Sequence, residues 1–222
     1  MIKLLSIADL VTLTNAIFGF FAILMILLNE MHFSFSFILI ALLADGLDGI
    51  VARKTRKSEL GEYMEAMADM ISLGIAPSFF VYNIYYEFVS GCVYYHSLLV
   101  GILIVFLSLS IVRLASFHII KEEKFFVGLP ASAGTIFILI LSFLFEIDFI
   151  YILPCIVVIS IAMISTLRFP KIGWKIGAIA TVLILLTLIM DDNYYNIAPI
   201  FLFIAIAIYT IAGPIYVRKK LL

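Results

Sequence analysis

Eight apolar runs follow one another along this chain with only short polar breaks. A run of about 20 apolar residues is what a helix needs to cross the hydrocarbon core of a bilayer. The runs fall at roughly 11–29, 33–53, 62–86, 93–116, 129–146, 149–167, 173–190 and 195–217 of the 222 residues. With 65% of the residues hydrophobic and only 13% charged, a soluble globular domain is excluded. The expected fold is an all-α integral membrane protein, a bundle of about eight transmembrane helices in a single membrane-embedded domain over residues 1–222.

The charges orient that bundle. With eight spans, one side collects Lys3, the 54–61 loop with Arg53, Lys54, Arg56 and Lys57, then Arg113, Lys121 and Lys124. The same side receives Arg168, Lys171, Lys175 and the tail Arg218, Lys219 and Lys220, which completes all 14 Lys and Arg residues. The opposite loops carry Glu30, Glu87, Glu146, Asp148, Asp191 and Asp192 and no cation. By the positive-inside rule both termini and the 54–61 loop are expected in the cytoplasm. The stretch through Leu28 has Lys3 ahead of an apolar run, as a signal peptide would. It is long enough to span and no small-x-small cleavage site follows, so it is expected to be retained. Cys92 and Cys155 lie far apart and read as two thiols, not a disulfide framework. A net charge of -1, with no basic block and no Cys/His cluster, gives no sign of nucleic acid as a partner.

Carboxylates beside hydrocarbon are costly and default to function. Asp45 and Asp48 stand near the end of the second run, Glu65 and Asp69 near the start of the third. Spacings of three and four residues put each pair on one face of a helix. Asp45 precedes Arg53 by eight residues, which places it about 12 Å along the helix from the cytoplasmic rim. Four such acids facing one another would raise each other's pKa, and bound divalent cations resolve that repulsion. An all-oxygen ligand set suits Mg²⁺ or Mn²⁺. Gly49, Ala52 and Gly61 remove bulk from the same faces, where helices or a ligand can approach closely. The bland alternative, solvated acids at two helix ends, serves for any one of the four but poorly for all together. It does serve for Glu59 and Glu62, acids at a helix N-terminus. Arg53 lies two turns beyond Asp45, where a guanidinium suits a diphosphate; the other cations of its run read as topology and anionic-lipid contact.

The sequence here resembles the CDP-alcohol phosphotransferases. Their pattern D-x-x-D-G-x-x-A-R, a short gap, then G-x-x-x-D-x-x-x-D is matched by Asp45, Asp48, Gly49, Ala52, Arg53, Gly61, Glu65 and Asp69. Glu65 stands where the family has Asp, and seven residues separate Arg53 from Gly61 where eight are usual. Ser72–Pro77 resembles the SFGVAP segment of the phosphatidylserine synthases within that family. Arg113–His118 resembles their RLARFN, with Ser116 and His118 departing from it. Gly128–Gly134 resembles their GLPxPAAA, and Thr12, Thr14, Asn15 and Gly19 resemble their TLxNxxxGF. The matched segments end near residue 135, and the last three spans resemble the family only in being apolar.

The resemblance implies a catalytic core over about residues 10–146 with additional spans over about 149–217. It implies that a serine hydroxyl attacks the lipid-bearing phosphate of a CDP-lipid at a site with two divalent cations, and that CMP leaves. Asp45, Asp48, Glu65 and Asp69 would be the metal ligands, with Asp69 also the general base. Thr12, Thr14, Asn15, Gly49, Arg53, Ser58 and Gly61 would hold the CDP-lipid. Ser72 and Arg113 are candidates for serine; Arg113 could equally anchor its span by snorkelling, and Ser72 could equally bond its own helix backbone. The family further implies a homodimer in the cell membrane, its site facing the cytoplasm. Two other readings compete. The acceptor could be glycerol 3-phosphate or an inositol phosphate, which would call for several cations in the pocket. An ion-coupled transporter would spread its acids across the membrane depth, whereas these cluster near one leaflet.

Overall fold

A backbone in hydrocarbon must satisfy its own N–H and C=O groups, and the helix does so within one segment. The computed structural model describes residues 5–54, 60–117, 119–120, 125–171, 174–189 and 197–221. Each of the eight apolar runs corresponds to a helical stretch. Ile7–Leu27, Gly61–Ser90, Val93–Phe117 and Ala198–Lys220 are long and apolar enough to cross a membrane. Met31–Leu47, Ala131–Leu144, Phe149–Ile164 and Gly177–Leu188 are shorter apolar helices. Contacts divide the chain into two units, Met1–Phe80 and Val81–Leu222.

In the first unit, α1 (Ile7–Leu27) opens with a capping box: Asp9 N–H donates to Ser6 Oγ at 3.3 Å and Ser6 N–H donates to Asp9 Oδ2 at 2.6 Å. That satisfies two of the amide donors a helix start leaves over. The chain turns through Asn29, at φ 62°, into α2 (Met31–Lys54). α2 packs on α1, with the Phe37 ring 6.0 Å from Phe18 and 5.7 Å from Phe21. Next come α3 (Gly61–Asp69), a π-helical segment (Met70–Ile75) and α4 (Ala76–Ser90), without a break, the first unit ending within α4 at Phe80. α1 carries its polarity inside out. Asp9, Thr12, Asn15 and Gly19 are buried, one per turn, while Ile7, Leu10, Leu13, Ile17 and Phe20 face outward. Water would reverse that arrangement; hydrocarbon outside the bundle favours it.

The second unit holds α5 (Val93–Phe117), β1 (Phe125–Val127), α6 (Ala131–Leu139) with a π-helical segment (Ile140–Leu144), and α7 (Phe149–Ile164). β2 (Arg168–Pro170), α8 (Trp174–Ile189) and α9 (Ile197–Leu221) complete it. The strands are an addition to the expected helices: β1 and β2 pair antiparallel, with Phe126 opposite Phe169. Gly128 ends β1 at φ +79°, and a Cβ there would run into the carbonyl oxygen of Met163, so only glycine fits. Its N–H donates to Leu167 O at 2.7 Å, and Leu129 N–H donates to Ala162 O at 2.9 Å. α9 lies against β2, where Tyr209 donates its hydroxyl to Pro170 O at 3.1 Å. Around the α4–α5 turn, Tyr85, Phe88 and Tyr95 gather on Phe149 with ring separations of 5.0–5.9 Å. Tyrosine rings, apolar with a polar tip, are favoured at a membrane–water boundary.

Candidate functional site

The described candidate residues of the first unit lie on four consecutive elements, and α1 is the one that touches α2, α3 and the π-helical segment. Asp69, the last residue of α3, is 7% exposed. A carboxylate so placed needs donors, and Asn15 supplies one: its Nδ2–H donates to Asp69 Oδ1 at 2.8 Å. Asn15 is itself fully buried, and among the described residues its Oδ1 finds no hydrogen-bond partner.

One turn further along the same seam the helices come as close as backbone allows. A Cβ at Gly19 would stand 2.9 Å from Ser72 Cα, closer than real Cβ atoms approach. Ser72 is buried in the π-helical segment and its hydroxyl donates to Ala68 O at 3.3 Å, in its own helix. An inserted residue widens a helical turn, and such π segments recur at functional sites. At the other end of the seam, Gly61 opens α3 beside Asp9, whose Oδ1 would be 3.3 Å from a Cβ there.

Along α1 and α3, Asn15 therefore meets Asp69 and Gly61 meets Asp9, with Thr12 on the same buried face of α1. Thr12 is buried, its hydroxyl donating to Ala8 O at 3.2 Å. Thr14 is not on that face. It is exposed on the outward side of α1 and donates to Val11 O at 2.6 Å. Asp45, on α2, and Glu65, on α3, are half-buried. Ser58 and the side chains of Asp48, Gly49 and Arg53 lie outside the described residues, as do Lys121 and Lys124. Among the described residues, to which the Asp48 side chain does not belong, no group of three or more His, Cys, Asp or Glu closes around a metal position. The ligand chemistry still fits a hard cation: Asp45, Glu65 and Asp69 offer carboxylate oxygen alone, and an orphaned amide oxygen lies beside the most buried of them.

In the second unit Arg113 is 6% exposed near the end of α5. Its Nε–H donates to Leu129 O at 3.2 Å and its guanidinium lies 5.4 Å from the Phe117 ring centre. The turn at Gly128 thus fixes an arginine that sequence reasoning had put forward from its motif alone.

Asp9 was not singled out from sequence. It is 2% exposed and shares the inward stripe with Thr12, Asn15 and Gly19. Its signals were the Ser6-x-x-Asp9 capping spacing and an acid one turn before Thr12 in an otherwise apolar run.

A family model for CDP-alcohol phosphatidyltransferase matches residues 5–211. The chain is 36% identical over 177 residues to a CDP-diacylglycerol–serine O-phosphatidyltransferase of Methanocaldococcus jannaschii, covering 78% of each chain. It is 31% identical over 175 residues to an archaetidylserine synthase of Methanothermobacter thermautotrophicus, covering 76% of this chain and 71% of the relative. A CDP-diacylglycerol–serine O-phosphatidyltransferase of Bacillus subtilis is 29% identical over 166 residues, covering 72% of this chain and 88% of that one.

Proposed function

The chain belongs to the CDP-alcohol phosphatidyltransferase family, and we propose on that premise that its reaction takes place at the carboxylates of α2 and α3. It is a multi-pass membrane enzyme of phospholipid biosynthesis that transfers a phosphatidyl group from a CDP-linked lipid to L-serine. The serine oxygen forms a bond to the lipid-bearing phosphorus. The bond from that phosphorus to the bridging oxygen breaks, CMP departs with the oxygen, and the hydroxyl proton goes to Asp69.

The family depends on divalent metal. Asp45, Asp48, Glu65 and Asp69 would hold two cations, Mg²⁺ or Mn²⁺, which when bound would offset diphosphate charge and align the substrates. The chain's own groups do the rest. Thr12, Gly49, Arg53, Ser58 and Gly61 hold the CDP-lipid, Thr14 being turned outward, and Arg53 brings the fork geometry that phosphate oxygens accept. Arg113 receives the serine carboxylate, its Nε anchored on Leu129 O so that the guanidinium is held before serine arrives. Ser72 borders the serine position from the π-helical segment. The site faces the cytoplasmic leaflet of the cell membrane, a reading supported by the one-sided distribution of all 14 Lys and Arg residues, and the enzyme works as a homodimer.

The observation that carries the mechanism is the buried Asp69, held by Asn15 at the seam of α1 and α3. The purified protein in detergent, given CDP-lipid, divalent cation and a panel of acceptors, should release CMP with serine. Release with glycerol 3-phosphate or an inositol phosphate instead would replace the acceptor. No release with any acceptor would remove the enzyme reading and reopen transport. Mass analysis of the product would identify ester-linked or ether-linked lipid chains.

A further inference from the structure

An asparagine amide has two donor hydrogens at one end and an acceptor oxygen at the other. In Asn15 the donor end is engaged with Asp69 at 2.8 Å, and the acceptor end is sealed from solvent with no partner among the described residues. An orphaned buried acceptor costs the desolvation of that group. Packing alone would be better served by leucine, which has nearly the same shape and no polar atom. The backbone of α1 is held close one turn beyond Asn15, where Gly19 lies against the backbone of Ser72. A diphosphate needs donors, yet the donor end of Asn15 is turned to Asp69 and its other end is a buried carbonyl oxygen, an acceptor.

We propose that Asn15 acts as a positioning residue for Asp69, not as a direct partner of the CDP-lipid. Its Nδ2–H holds the Asp69 carboxylate in one orientation across the α1–α3 seam, so that the carboxylate receives cation and proton without reorganising. Losing a group that orients a metal-ligating side chain typically weakens metal affinity about 10–100-fold. This inference rests on the reading of Asp69 as metal ligand and base.

The test reads melting temperature against MgCl₂ or MnCl₂ with no substrate present, beside kcat and KM for serine and CDP-lipid. In Asn15→Leu the cation concentration at half-maximal stabilisation should rise by about 10–100-fold and kcat should fall by a similar factor. KM for CDP-lipid should hold. A raised CDP-lipid KM with an unmoved cation midpoint would return Asn15 to substrate binding and overturn the inference. Ser78→Ala removes a buried hydroxyl that donates to Gly74 O at 2.7 Å. It should leave the cation midpoint in place, and an equal shift there would show general destabilisation instead of positioning. Should Asn15→Leu not fold, Asn15→Asp keeps the shape but sets a carboxylate against Asp69. Its melting temperature in chelator should fall, and its rise on adding cation should exceed that of wild type; an equal rise would overturn the inference. A wild-type melting temperature indifferent to cation would overturn the metal reading, and this inference with it.

Discussion

α1 and α9 look alike as sequence, two long apolar helices, yet the faces they bury differ. α1 buries Asp9, Thr12 and Asn15 beside Ala8, Gly19, Ala22 and Ile26; α9 buries Ala198, Leu202, Ile206, Gly213 and Val217. Hydropathy averages over a whole helix and cannot separate them. What separates them is where the few polar groups fall, because a polar residue turned inward must find a partner while an apolar one need only pack. α1 found Asp69; α9 found the Phe169 and Pro170 side chains. The first helix is therefore read as part of the chemistry and the last as support.

The sharpest break of that contrast is at Asp69. Asp69→Asn should lower CMP release by about 10²–10⁴-fold, the range general bases supply, with little change in melting temperature in chelator. Single-turnover CMP release measures it, and near-wild-type turnover would leave the α1 seam no more catalytic than α9.

Cation should separate the two helices next. At a hundredfold excess over its Kd a ligand stabilises the native state by about 2.7 kcal/mol. Chelator should therefore lower the melting temperature of wild type and of α9 variants alike. The shift should vanish in the double variant Asp45→Asn, Asp48→Asn, and its persistence there would place the cation elsewhere.

A smaller effect compares glycines. In Gly19→Ala the new Cβ meets Ser72 backbone at 2.9 Å, and in Gly213→Ala it meets the Pro170 ring at 3.1 Å. Overpacking of the first kind costs about 1–3 kcal/mol and should also lower activity, since Ser72 and Asp69 would move. Gly213→Ala should cost less and leave kcat alone. Denaturation midpoints and kcat for both variants decide, and equal losses would erase the distinction. Smallest of all, Tyr209→Phe removes one hydroxyl donated to Pro170 O at 3.1 Å. It should cost about 1 kcal/mol of stability and no turnover, read in the same two assays.

The apolar runs were legible because each had to be long and unbroken. The third, expected over 62–86, is Gly61–Ser90 in the structure, and inside it the π-helical turn left no mark. One extra residue in a turn changes no composition and hardly any periodicity. β1 and β2 were missed because three-residue strands carry no pattern; Gly128, glycine by steric necessity, was the nearest signal. In the site, the acids stood out against hydrocarbon. The motif could not tell Thr12 from Thr14, but a helix advances about 100° per residue, so Thr12 and Asn15 face inward and Thr14 does not. Asp9 was overlooked because an acid near a helix start has an ordinary explanation in capping, which it also fulfils.

The small strand pair carries a consequence for how the chain threads the bilayer. β1 and β2 lie side by side, Phe126 opposite Phe169, and Gly128 N–H donates to Leu167 O at their end; such a pairing cannot reach across a membrane. Residues 125–127 and 168–170 must share one side, so the chain between them, α6 and α7, crosses an even number of times. Gly213, against Pro170, extends the same parity through α8 and α9. An odd crossing lost or gained in either pair would tear the strands apart, which makes two backbone segments of three residues each a lock on the topology of half the protein.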